Sequence, residues 1–251
     1  MKKGKKAVVE ADTTIVGQQM INQTQATDMM KNVTQSSVML QTMAQYQNFK
    51  FCKNHIEDLK SCTGALIRQQ QIGEIISSSE VQNKYIILLQ SEKEGLQVAF
   101  KCNVLNDSLK MKIFQISSQK EIIADICPLF ATAEYSKRCL CCCKTRLKID
   151  LTKNQNRIGG AIELSDKEYE IYDEIENIMY KIVGNEIYRN DKVAGYIREK
   201  IMSIGSNTSK VLTYNISFPE KASPETKFII ICAVMLMDSK AIKNQSWNKK
   251  K

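Results

Sequence analysis

The sequence predicts a mainly β protein, a closed barrel of roughly twelve strands enclosing a C-terminal hydrophobic α-helix. From about residue 59, apolar and polar side chains alternate in short runs, the period-two signature of half-buried strands. Turn-forming stretches separate those runs. Near the C-terminus every residue from Phe228 to Met237 is apolar, so a helix there has no polar face and must be covered on all sides. A sheet closed on itself supplies that cover and removes exposed sheet edges at the same time.

Taken in order, residues 1–58 are rich in Gln, Met, Thr and Asn and contain no proline, which reads as an N-terminal arm that is flexible or ordered by a partner. Residues 59–245 form the barrel. In LKMKIFQI, Leu109, Met111 and Ile113 alternate with Lys110 and Lys112; in TRLKIDL, Leu147, Ile149 and Leu151 alternate with Arg146, Lys148 and Asp150. NKYIILLQ, LQVAFKCNV, KEIIADI, AIEL, KEYEIYDEI, NIMYKIV, NEIYR, KVAGYIREKI and VLTYNISF are the other strand candidates. The helix is expected over about 224–240. Ser223 is a suitable N-cap, Pro224 fits the first helical position, and Glu225 complements the positive end of the helix dipole. Its ten apolar residues rise about 15 Å, against the roughly 20 residues a membrane span needs. The reading is a core helix, with Phe228, Ile229, Ile230, Ile231, Val234, Met235 and Leu236 buried; a short membrane insertion is the alternative. Residues 246–251 are a basic tail.

The net charge of +9 favours acidic partners: anionic lipid headgroups, nucleic acid or an acidic protein face. The basic residues are scattered and lack interleaved stacking aromatics, which argues against nucleic acid. Nine cysteines without an apolar secretion signal point to a reducing compartment rather than a disulfide framework. His55 is the only histidine, and no glycine-rich phosphate loop is present, so neither a histidine-based triad nor a nucleotide site is expected.

LIRQQQIGEII followed by NKYII, then KIFQISSQKEIIADI, CLCCCKTRLKIDL, RIGGAIEL, KVAGYIREK and FPEKASPETKFIIICAVMLMD run in one order from about Leu66 to Ile242. In that order and spacing the chain resembles the phospholipid scramblase family. The resemblance implies a tubby-like barrel around the C-terminal helix. It also implies ATP-independent, bidirectional movement of phospholipid between leaflets, on the cytoplasmic face of a plasma or organelle membrane.

The resemblance marks Cys139, Cys141, Cys142 and Cys143 as S-acylation candidates, with Lys137, Arg138, Lys144 and Arg146 beside them as contacts for anionic lipid. Firm anchoring takes two signals, such as two acyl chains or one chain plus basic residues, and both kinds are present here. Unmodified thiols and a metal site are the alternatives, although spacings of one or two residues are tighter than usual zinc pairs. Cys102, Cys127 and Cys232 read as small core residues.

The family's calcium segment aligns with Ser209 to Ser217, with its acidic positions at about Lys210 and Leu212. No carboxylate occurs there, and neither an ammonium nor an isobutyl group ligates Ca²⁺, so no cofactor is expected. The family's proline-rich arm is absent too. These departures keep a second reading open, in which the fold serves as a non-catalytic module that binds membrane lipid or, through the arm, a large protein assembly.

Overall fold

A computed structural model describes residues 49–70, 81–105, 110–124, 126–137, 145–151, 156–165, 167–204 and 209–248. The barrel unit begins at Asn48, ahead of the junction that composition places at 58–59. Strand β1 (Lys50–Phe51) and helix α1 (His55–Ser61) precede β2 (Gly64–Gln70), β3 (Val81–Ser91), β4 (Gly95–Leu105) and β5 (Met111–Gln115). Helix α2 (Gln119–Ala124) is followed by β6 (Leu129–Lys137), β7 (Thr145–Leu151), β8 (Asn156–Ser165) and β9 (Glu168–Tyr172). The chain ends with β10 (Ile178–Val183), β11 (Glu186–Arg189), β12 (Lys192–Ile204), β13 (Ser209–Ser217) and helix α3 (Pro224–Asn248).

Strands β2 to β13 close into an antiparallel barrel of twelve. Going round, β13 pairs with β2 through Tyr214↔Ile67, and β4 pairs with β5 through Cys102↔Ile113. β1 lies outside the ring and runs parallel to β4 at Lys50↔Gln97. Period two is plain in β5, where Met111 and Ile113 are buried and Lys112 is exposed. The β11–β12 hairpin turns on Asn190 and Asp191, both at positive φ, as a two-residue turn between twisted strands requires.

Helix α3 fills the lumen. Every residue from Phe228 to Leu236 is at most 1% exposed, so all sides of the apolar run face the wall. Ser223 Oγ accepts from the Thr226 amide at 3.2 Å, which caps the start as the sequence predicts. The helix continues to Asn248, past the expected end near 240.

Two local readings are corrected. KEIIADI is not a strand: Gln119–Ala124 is helical. The Glu121 amide donates to Ser118 Oγ at 3.4 Å, and Glu121 Oε2 accepts from the Ser117 amide at 2.7 Å. This serine–glutamate pair, three residues apart, holds the first turn in the manner of a capping box and overrides the apolar alternation. The second is an omission: neither β2 nor β6 is among the strand candidates. β6 does not stand out in the sequence because its buried positions, Ala131 and Ala133, are small residues of low strand propensity.

Gly159 lets the wall come close to the helix. Its φ is +130°, and a Cβ there would lie 2.3 Å from the Tyr172 carbonyl oxygen and 2.9 Å from Ile229 Cδ1. Gly159→Ala should therefore destabilise the barrel by about 3 kcal/mol or more, combining backbone strain with overpacking. Urea unfolding reads this directly, and a loss below about 1 kcal/mol would contradict the close approach.

Candidate functional site

The charged and polar groups on α3 that face the interior flank its apolar run, Phe228 to Met237. At the N-terminal end, Lys227 is 4% exposed, and among the described residues no carboxylate pairs with it. Its ammonium donates to the carbonyls of Leu59, Lys60 and Cys62 at 3.1, 3.0 and 2.7 Å. Those carbonyls are at and just beyond the C-terminus of α1, where unpaired acceptors and the negative end of the helix dipole favour a cation. Burial lowers the Lys227 pKa from its ordinary value.

α1 covers this end of the barrel and carries His55. The imidazole Nε2 donates to two main-chain carbonyls, Ala99 at 2.9 Å and Ile116 at 3.1 Å. The ring also sits 5.1 Å from Phe100, which in turn meets Phe130 at 4.9 Å and Phe228 at 5.4 Å. Among the described residues His55 is thus held by main-chain carbonyls and aromatic rings.

Just past the other end of the apolar run, Asp238 is 1% exposed. Its two carboxylate oxygens accept from the hydroxyls of Tyr85 and Tyr214, the first at 2.5 Å and the second at 3.0 Å. Burial pushes the carboxyl up, opposed by the two hydroxyls. Burial and the Asp238 charge together push Tyr214 well above its ordinary value.

The helix runs from the end where β13 finishes toward the end where β13 starts. Lys137 and Thr145 close the β6–β7 ladder at that same end, because alternate turns of an antiparallel meander open on one side. Cys139, Cys141, Cys142, Cys143, Arg138 and Lys144 lie outside the described residues. Lys137 and Arg146, pairing with Thr145 and Ser136, are the backbone positions that flank them.

The remaining described thiols are poor nucleophiles. Cys52, Cys62, Cys102 and Cys232 are buried, and burial raises all four. Cys62 is raised to about 11. Cys127, expected in the core, is half-buried, and its Sγ lies 3.5 Å from the Glu121 carbonyl.

Ser209 to Ser217 forms β13, between β12 and β2. Among the described residues no group of three or more His, Cys, Asp or Glu side chains is arranged to hold a metal, and no helix is long and apolar enough to cross a membrane. No protein-family model matches the chain, and no curated protein matches it.

One consequence concerns acid. Burial holds the His55 imidazole below its ordinary 6.5, so the unfolded chain takes up the proton first as pH falls. The stability associated with a neutral His55 is present above about pH 6.5 and is lost as pH falls toward the lower folded value; the nearby Asp58 and Glu121 charges moderate the loss. Unfolding midpoints measured from pH 7 to pH 5 should fall for the native chain, with a flatter slope for His55→Gln. An equal slope in both would remove His55 from the account.

Proposed function

We propose that the chain is a peripheral membrane protein acting on phospholipid, a scramblase-like barrel that moves phospholipid between leaflets without ATP. The ordered run of segments from about Leu66 to Ile242 resembling the scramblase family carries this reading. A twelve-stranded closed barrel with a C-terminal helix is compatible with it. Acylated cysteines in the β6–β7 turn, with Lys137, Arg138, Lys144 and Arg146, would anchor the barrel to the cytoplasmic face of an anionic membrane. The absence of carboxylates from Ser209 to Ser217 supports a transport step that ignores calcium.

A second reading is favoured by a specific observation. α3 is buried at every residue from Phe228 to Leu236 and held by charged groups at both ends, so it lines no groove that a lipid headgroup could follow. A barrel of this kind serves equally as a non-transporting module that binds membrane lipid or a protein assembly.

Proteoliposomes carrying a fluorescent phospholipid, challenged with an external quencher, separate the two. On the transport reading, bleaching passes the outer-leaflet half and is the same with and without calcium. Bleaching that stops at half, with the protein bound to the vesicles, would reject transport and leave the binding module.

A further inference from the structure

Charge is sorted around the barrel wall by strand register. The six adjacent strands β12, β13, β2, β3, β4 and β5 contain a single carboxylate, Glu199. Alternation places Glu199 on the inward side with Ile197, and its charge is felt by Asp238 and Tyr214. By contrast, Glu163, Glu168, Glu170 and Glu186 lie on the neighbouring strands β8, β9 and β11.

Within the carboxylate-poor arc, one row combines two cations and an unpaired hydroxyl. Thr213 is opposite Lys200 on one side and Arg68 on the other. Tyr214 and Ile67 point into the lumen, so Thr213 and Arg68 point out, and register puts Lys200 with them. Thr213 is 2% exposed, and its Oγ1 has no hydrogen-bond partner. Buried polar groups are nearly always paired, so an orphaned hydroxyl between two cations asks for an acceptor. Neither Arg68 nor Lys200 has an ion-pair partner among the described residues. Arg198, opposite Asn215 in the next outward row, adds a further cation.

The geometry points to an anion site on the outer wall, in which Thr213 Oγ1 and the Arg68 and Lys200 side chains together hold a phosphate group. Strands two apart in a sheet are about 10 Å from one another, a gap that long Arg and Lys side chains close from both sides of a phosphate. The site deepens the membrane reading when the phosphate belongs to a lipid, yet it does not require lipid to cross a bilayer. It therefore stands or falls separately from the exchange assay.

The test uses the full chain with two probes, inorganic pyrophosphate by calorimetry, and phosphatidylcholine vesicles doped with phosphatidic acid by sedimentation. Thr213→Val removes the hydroxyl at constant shape and should leave thermal stability unchanged or higher while weakening binding about tenfold. Arg68→Gln and Lys200→Gln should each weaken it about as much. A control, Lys93→Gln with Lys120→Gln, removes two exposed charges elsewhere and should retain binding within about twofold. Site-dependent binding of both probes assigns a phosphate site open to lipid. Site-dependent binding of pyrophosphate alone assigns a soluble anion, and of vesicles alone a lipid phosphate. The proposal is overturned if neither probe binds, if the three site variants bind like the native chain, or if the control loses as much as they do.

Discussion

Ten consecutive apolar residues with no polar angle set the terms for this protein, because the helix they form has to be walled in along its whole circumference. A bundle or an open sheet would cover one stripe of such a helix; a closed barrel covers all of it. The ends of the apolar run then become the difficulty: at its start the helix terminus leaves backbone groups unpaired, and at either mouth the lumen admits water. The chain answers with one charged residue at each end. Lys227 has three N–H donors and meets three carbonyls; Asp238 has two oxygens and meets two tyrosine hydroxyls. Buried ions are tolerable only when matched in this way. Because a residue step along a helix is about 1.5 Å, comparable to the tolerance of a hydrogen bond, these two sets also fix the axial position of α3.

The wall adapts to a helix that is not uniformly thick. On β6 and β8 the inward residues are Ala131, Ala133, Gly159 and Ala161, and at Gly159 the backbone itself nearly touches Ile229. Elsewhere the larger Phe100 and Phe130 reach toward Phe228. Small against large is how a lumen of fixed strand number is packed without voids. α1 finishes the packing by setting His55 against the same aromatic group, so the Lys227 contacts and the His55 contacts both hold the same cover.

The helix and the barrel were legible in the sequence because each follows from hydrophobic pattern alone. What stayed hidden has specific causes. The α1 segment, HIEDLKS, begins in a composition that resembles the preceding arm, and its docking depends on Lys227, distant in the chain. β6 hides behind alanines. In KEIIADI the apolar alternation was visible, but the serine–glutamate pair ahead of it decided the local structure. The polar interior, Tyr85 with Tyr214 and Asp238, was also out of reach, since no local pattern reveals which strand positions meet a given residue of a central helix. The cysteine cluster was the most visible candidate site, through its composition and through a resemblance, but neither of those sources specifies three-dimensional arrangement.

Strand β13 shows how one segment can serve two faces with opposite demands. Its inward residue Tyr214 completes the pairing of a buried carboxylate, while its outward neighbour Thr213 is left with an unsatisfied hydroxyl between two cations. In the family that the sequence resembles, this segment supplies alternate carboxylates for calcium; here the same stretch has none. Those family positions, about Lys210 and Leu212, share the parity of Tyr214 and so belong to the inward face, apart from the outward row of Thr213, Arg68 and Lys200. The outward row is therefore positive on its own account, and the phosphate site proposed for it does not depend on the departure at those positions.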